Sequence, residues 1–122
     1  MKFTGKVVHG AGRGAKIGYP TINLELVGKA VFADLAYGVY AVRVAVEQKK
    51  YSGVMHFGPR PTFSDASEQV EIYLLDFNGD LYDQKVTVEV SSKIRDVIGF
   101  DSEDALRQQI AKDVFIARGL FS

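Results

Sequence analysis

A glycine-rich stretch near the N-terminus, residues 10–23, combines the residue types that bind phosphate groups and a metal ion. Its glycines and cations are Gly10, Gly12, Gly14, Gly18, Arg13 and Lys16. Glycines let the backbone approach a ligand closely, and exposed N–H groups in such a loop bind anions. Beyond Pro20, Thr21 and Asn23 supply a hydroxyl and an amide oxygen, which are ligand types that Mg²⁺ takes beside waters and phosphates. The stretch therefore predicts a nucleotide-phosphate and metal site. Glycine content alone leaves a surface loop without a ligand equally open.

The spacing differs from two common phosphate-binding motifs. A Walker A loop needs Gly-Lys-Ser/Thr at the start of a helix, whereas Lys16 follows Ala15 and the chain continues through Pro20 and Thr21 in an extended pattern. A dinucleotide fingerprint needs a third glycine where Ala15 stands. The stretch therefore matches neither of these two motifs, in which the phosphate lies at the start of a helix.

Most of the chain has the pattern of β-strands. Residues 21–26 alternate polar and apolar, which places Thr21 and Asn23 on one face of a strand. Further strands are predicted at residues 3–9, 38–46, 51–57, 70–77 and 81–90. Asn78-Gly79 predicts a type I′ hairpin turn between the last two. Six consecutive strands in a small domain favour a closed or nearly closed antiparallel barrel, because closure removes exposed edges.

The C-terminal segment changes to helical period. Asp101 or Ser102 is a suitable N-cap, and Gly119 a suitable residue just past the end. One apolar stripe follows the helix, formed by Leu106, Ile110, Val114 and Ala117. We expect this helix to pack against the barrel.

Length and composition narrow the function classes. The 122 residues predict one domain, residues 1–122, and the basic and acidic side chains balance at 15 each. A nucleic-acid binder that relies on a broad basic face is therefore disfavoured. Without cysteine there is no thiol nucleophile or zinc knuckle. No apolar run approaches the roughly 20 residues of a membrane span, and the N-terminus lacks the apolar segment of a signal peptide, so we expect a cytoplasmic protein.

Several motifs occur together in a known order. They lie at residues 5–14, 18–23 (with Pro-Thr-x-Asn at its end), 38–40, 53–63, 70–77, 80–82 and 100–102. With these motifs the chain resembles the riboflavin kinase (flavokinase) family, found alone or as the C-terminal module of bifunctional bacterial FAD synthetases. The resemblance implies a mainly β fold, a six-stranded antiparallel Greek-key barrel with a C-terminal α-helix. It also implies transfer of the γ-phosphoryl of ATP to the 5′-hydroxyl of riboflavin, giving FMN and ADP.

The resemblance also assigns roles to residues. Thr21 and Asn23 correspond to the positions at Mg²⁺ and the phosphates, and Glu71 to the proposed general base, which also contacts the flavin. The glycine loop, with Gly10, Gly12, Gly14, Lys16 and Gly18, covers the nucleotide; Tyr82 lies near the adenine and Arg95 contacts the flavin. The pattern alone leaves other interpretations: Glu71 as an exposed glutamate on the barrel exterior, Tyr82 as a packing aromatic, and Lys16 as a solvated cation. His9 and His56 lack a second ligand at metal spacing, so both are interpreted as structural or surface residues.

The expected ligands are riboflavin/FMN and ATP/ADP with Mg²⁺, without nucleic acid or membrane, on a monomer. We expect an FMN adenylyltransferase domain as a partner. This chain was either excised from a protein that contains such a domain or works together with one. The chain itself should not make FAD. The alternative function is a non-catalytic flavin- or nucleotide-binding barrel. An oligonucleotide-binding barrel is disfavoured by the zero net charge and by the lack of an evident basic-aromatic face.

Overall fold

The computed structural model describes residues 1–9, 18–26, 35–59 and 68–121. Within them the chain forms six strands followed by one helix. The elements are β1 (Lys2–Val8), β2 (Ile22–Leu26), β3 (Gly38–Val46), β4 (Lys49–Pro59), β5 (Glu68–Leu74), β6 (Lys85–Arg95) and α1 (Glu103–Phe121). No helix in these ranges has the length and apolar character needed to cross a membrane.

The strands close into a barrel in the order β1-β2-β5-β4-β3-β6, with β6 pairing back onto β1. Every pairing is antiparallel. Strands β3, β4 and β5 follow one another in space, and β2 lies beside β5, which is the Greek-key arrangement. The predicted mainly β fold, a six-stranded antiparallel barrel with a C-terminal helix, is confirmed.

Two clusters of apolar side chains explain the pattern of apolar and polar residues along the strands. The inner cluster fills the barrel and includes the fully buried Val42, Val44, Met55, Phe57 and Ile72. A second cluster lies outside the barrel beneath α1, formed by Val39, Ala41, Val54, Leu75 and Ala117. Strand β3 contributes to both clusters, so its apolar run is nearly continuous rather than alternating. Each fully buried side chain of this size contributes about 1.5–3 kcal/mol relative to an exposed one.

The predicted Asn78-Gly79 hairpin is wrong. Strand β5 pairs with β2 and β4, whereas β6 pairs with β1 and β3, so residues 75–84 connect strands that are not neighbours. Positive φ occurs at Asp76, Gly79 and Asp83 but not at Asn78, which excludes a type I′ turn. Leu81, which was assigned to the last strand, instead packs into the inner cluster. The pairing order of the strands in the closed barrel therefore overrides the local turn preference of Asn78-Gly79.

The helix begins as predicted and ends later. The Ala105 N–H donates to Ser102 Oγ at 3.1 Å, so Ser102 is the N-cap. The helix passes Gly119 and runs to Phe121, so the predicted end was wrong. Phe121 packs against the outer cluster, and the Arg43 guanidinium lies 4.8 Å from the centre of its ring. These contacts extend the helix beyond the glycine.

Candidate active site

Three polar residues form a row across the outer face of the barrel. Asn23 on β2 lies directly opposite Glu71 on β5, and Glu71 lies directly opposite His56 on β4. Directly opposed residues of antiparallel strands point to the same face. The residues that alternate with them, such as Leu24 and Ile72, belong to the inner cluster. The strand period that predicted Asn23 on the face opposite to Leu24 is confirmed.

This row is partly shielded from water. Asn23 is 7% exposed although it points away from the barrel interior. Glu71 and His56 are both half-buried. Glu71 therefore lies on the barrel exterior, as one interpretation of the pattern held, but in a covered position beside Asn23. A half-buried carboxylate beside an amide brings a proton acceptor and a hydrogen-bond donor together on one face.

A pocket of about 380 Å³ opens beside the row. Its lining includes Thr21 and Asn23 of the Pro-Thr-x-Asn motif, together with His9 and Tyr82. The rings of His9 and Tyr82 are stacked, with centroids 3.8 Å apart and planes 17° apart. Tyr82 remains 48% exposed. Thr21, Asn23 and Tyr82, which the sequence assigned to ATP and metal, are thus brought together around one space.

The glycine loop is only partly described. Gly10, Gly12, Gly14 and Lys16 lie outside the described residues. Gly18 has φ +91°, a conformation that side chains rarely adopt, and nothing lies within 4 Å of where a Cβ would stand. Glycine is therefore favoured at position 18 by the backbone conformation and not by crowding.

The pocket offers a limited set of metal ligands. Thr21 and Asn23 bring a hydroxyl and an amide to its wall. Among residues 1–9, 18–26, 35–59 and 68–121, no group of three or more His, Cys, Asp or Glu side chains could hold an ion. A divalent cation at this wall would complete its shell with waters and phosphate oxygens, which is how Mg²⁺ is usually bound. The residues present therefore fit a nucleotide-bound Mg²⁺.

Arg95 lies on the same outer row and is held by the helix. Val39 pairs with His56 on one side and with Arg95 on the other. The Arg95 Nε donates to both carboxylate oxygens of Asp113, at 3.0 and 3.1 Å, and Nη2 donates to Oδ2 at 2.9 Å. Gln109 Nε2 donates to Asp113 Oδ1 at 3.1 Å. The guanidinium is thus positioned by α1, and the contact with a flavin that the resemblance implies stays a prediction.

Sequence reasoning missed Asp113. Its side chain is 1% exposed, and the Arg95 side chain is 15% exposed. The sequence does contain a signal for Asp113. It lies beside Val114 and four residues before Ala117, on the face of the helix that packs on the barrel. A lone carboxylate on such a face implies a buried cationic partner.

Sequence reasoning also missed an exposed apolar surface near the row. Tyr37, Val97 and Ile98 are 46%, 43% and 50% exposed, and we call them the apolar shelf. Three side chains surround Gly58: a Cβ built there would lie 3.6 Å from Val97 Cγ2, 3.7 Å from His56 Cε1 and 3.8 Å from Tyr37 Cβ. The shelf is therefore adjacent to His56, the cross-strand neighbour of Glu71. No pattern in the sequence connects residues 37 and 97.

Comparison with known proteins identifies the fold's family. The family model for flavokinase, riboflavin kinase, matches residues 1–121. The chain belongs to the riboflavin kinase family. A bifunctional riboflavin kinase/FMN adenylyltransferase of Haemophilus influenzae is 40% identical over 122 residues, which are 99% of this chain and 39% of that protein. The chain spans less than half the length of the curated relatives it matches.

Two solved structures show the same barrel. The crystal structure of riboflavin kinase from Trypanosoma brucei has a TM-score of 0.68 and 27% identity, and the match covers 98% of this chain and 78% of that one. A protein from Streptococcus pneumoniae described as a macrolide-efflux protein has a TM-score of 0.83 and 38% identity, over 96% of this chain and 38% of that one. The family assignment follows from the match over residues 1–121.

Proposed function

We propose that this chain transfers the γ-phosphoryl group of ATP to the 5′-hydroxyl of riboflavin, giving FMN and ADP. The observation that carries the proposal is the direct cross-strand pairing of Asn23 with Glu71, in a chain whose family is that of riboflavin kinases. The pairing sets a candidate base beside a candidate phosphate and metal ligand. Phosphoryl transfer asks a protein mainly for such positioning and for charge stabilisation.

Glu71 is the general base in this proposal. Its carboxylate accepts the proton of the ribityl 5′-hydroxyl while that oxygen forms a bond to the γ-phosphorus. The bond from the γ-phosphorus to the bridging oxygen breaks, and ADP leaves with the electron pair. A base must lie within hydrogen-bond reach of the proton that it takes. Glu71 meets this requirement if the hydroxyl enters between the pocket and the apolar shelf.

Thr21 and Asn23 hold the phosphate end of the nucleotide. Both line the pocket, and Asn23 is the neighbour of Glu71. A divalent ion bound with the nucleotide neutralises charge on the phosphates. Tyr82, exposed on the same pocket and stacked on His9, offers an aromatic surface to the adenine. Gly10, Gly12, Gly14, Lys16 and Gly18 complete the cover of the nucleotide in the proposal.

The apolar shelf is the proposed place of the isoalloxazine ring. A flat, largely apolar ring system gains most by covering exposed apolar surface, at roughly 25 cal/mol per Å². Tyr37 and Val97 flank Gly58 next to His56, and β4 and β5 are adjacent strands about 4.8 Å apart. A flavin on the shelf would therefore have its ribityl chain near Glu71. Arg95 starts the segment that carries Val97 and Ile98, and we retain it as a flavin-binding residue.

The relatives suggest how the product is used. The Haemophilus influenzae protein joins riboflavin kinase and FMN adenylyltransferase in one name. We infer that FMN made here serves an FMN adenylyltransferase, fused to this chain or separate.

The test is a product assay with the protein, riboflavin, ATP and Mg²⁺, in which the flavins are separated by chromatography. FMN is expected to form in step with ADP. Glu71→Gln is expected to keep riboflavin and MgADP binding and to lose turnover by about 10²-fold or more, the usual scale for a lost general base. Glu25→Gln is the matched control, since Glu25 is an exposed carboxylate on β2, two residues from Asn23. Riboflavin binding without FMN formation would indicate a non-catalytic flavin-binding barrel instead.

A further inference from the structure

His56 occupies a position that the proposed mechanism leaves without a role. It is half-buried on the outer face of β4, directly opposite Glu71. Its other cross-strand neighbour is Val39, which is apolar and 2% exposed. Of the two residues directly opposite His56, Glu71 is the one whose side chain can accept a hydrogen bond.

We propose that His56 is a positioning residue for Glu71. One ring N–H of His56 donates to one oxygen of the Glu71 carboxylate and fixes its rotamer. The other oxygen then faces the 5′-hydroxyl of riboflavin. This proposal rests on the proposed function, because it takes Glu71 as the base. It changes the interpretation of His56 as a merely structural or surface residue.

The geometry of the strands makes the contact possible. Side chains directly opposite on antiparallel strands have Cβ atoms about 4.5–5.5 Å apart. An imidazole and a glutamate carboxylate can form one hydrogen bond across that spacing. Asn23 lies at the same spacing on the other side of Glu71. The carboxylate is thus bracketed by two side chains that can donate hydrogen bonds.

The imidazole lies near other side chains. Its Cε1 lies 3.7 Å from the position that a Cβ on Gly58 would take, and Tyr37 and Val97 reach the same position. A half-buried ring loses less freedom than an exposed one when it donates a hydrogen bond. A glutamate left alone would distribute over rotamers, since fixing such a side chain costs up to about 2 kcal/mol of entropy. In this proposal His56 stabilises the productive rotamer of Glu71 before substrate binds.

The first experiment separates kcat from KM. His56→Leu is expected to lower kcat by roughly 10-fold to 10²-fold, the scale of a misplaced catalytic group. The KM values for riboflavin and ATP should stay within about twofold, since the shelf residues Tyr37 and Val97 and the residues that line the pocket are themselves unchanged. His56→Asn keeps an N–H donor at similar reach and should restore most of kcat. Lys50→Leu, an exposed polar residue on the same strand and face, is the matched control and should leave kcat unchanged.

The second experiment is a double-mutant cycle measured by single-turnover kinetics. In the Glu71→Gln background, His56→Leu is expected to cause no further loss of rate, because His56 acts through the carboxylate. Independent losses would instead multiply. Thermal unfolding by circular dichroism checks the fold of each variant. If His56→Leu does not fold, His56→Ala replaces it, since an alanine side chain has no hydrogen-bond donor.

The outcomes separate this proposal from the proposed function. Parent-like kcat in His56→Leu, or multiplying losses in the double variant, would overturn the role of His56 while Glu71→Gln still loses turnover. Unchanged turnover in Glu71→Gln would overturn the proposed base, and with it the role of His56. Equal loss in His56→Leu and His56→Asn would show that packing, and not hydrogen-bond donation, is what position 56 supplies.

Discussion

Removal of the Asp113 carboxylate should weaken the attachment of the helix to the barrel. Asp113 accepts three hydrogen bonds from Arg95 and one from Gln109. Its side chain is 1% exposed and that of Arg95 is 15% exposed. Asp113→Ala therefore leaves a guanidinium that is mostly buried and has lost its counter-charge. Breaking a buried ion pair in this way costs about 3–5 kcal/mol.

The lower end of that range applies here. Arg95 retains some contact with water, and its Nη1 still donates to the Asp96 carbonyl at 3.1 Å. An expected loss of about 3 kcal/mol is a large part of the stability of a small domain. The entropy of unfolding is about 2.1 cal/mol/K per residue, or about 0.26 kcal/mol/K for 122 residues. The melting temperature should therefore fall by about 12 °C.

The assay is thermal and urea unfolding followed by circular dichroism, with amide hydrogen exchange to locate the loss. Exchange should accelerate in α1 more than in the strands of the inner cluster. Arg107→Ala is the matched control, because the Arg107–Asp104 pair has the same chemistry at 47% and 76% exposure. Exposed pairs contribute about 1 kcal/mol or less. A fall of less than about 3 °C in Asp113→Ala would refute the reasoning.

A paired substitution tests whether charge or packing matters. Arg95→Met with Asp113→Leu replaces the buried ion pair by apolar side chains of similar size. Such replacements are often neutral or stabilising, because neither charge has to be desolvated. The double variant should therefore recover most of the loss. Failure to recover would mean that the contacts of Arg95 with Asp96 and the Phe100 ring, whose centre lies 5.7 Å from Cζ, carry the stability instead.

Two further predictions concern the pocket and the helix start. Thr21→Ala should weaken MgADP binding in calorimetry, because it removes a hydroxyl from the pocket wall; equal MgADP affinity in variant and parent would count against Thr21 as a ligand. Ser102→Ala should lower the free energy of unfolding by about 1 kcal/mol in urea denaturation, because it removes the acceptor of the Ala105 N–H. Ser102→Asp keeps an acceptor and should retain most of that free energy; an equal loss in both variants would exclude the cap as the cause.

The strands were predictable because burial in a barrel follows a local rule. In β1 exposed and buried residues alternate along its length, and the predicted bounds of β3 agree with the structure. Strand β6 was placed too early, since the chain first crosses the barrel end and buries Leu81. The order of the strands was not readable from alternation. It depends on which strands pair, and pairing is not a local property.

The candidate site was predictable in its parts and not in its assembly. Alternation places Thr21 and Asn23 on one face of a strand, and family resemblance selects Glu71. The register that sets Asn23 opposite Glu71 depends on the pairing of β2 with β5, which are separated by two other strands in the sequence. The apolar shelf and the Arg95–Asp113 pair arise in the same way. Each joins residues that are distant in the chain and carry no shared motif.

The row of polar residues on the outer face of the barrel shows how paired strands can hold a catalytic site. Asn23, Glu71 and His56 lie on three adjacent strands, so their spacing is set by the backbone hydrogen bonds between the strands. A site on paired strands holds its geometry better than one on loops. The same row continues through Val39 to Arg95, where α1 is attached. Loss of the Asp113 contact should therefore disturb the helix and the shelf at residues 97–98 before it disturbs the spacing of Glu71 and Asn23. On this argument, Asp113→Ala should raise the KM for riboflavin more than it lowers kcat.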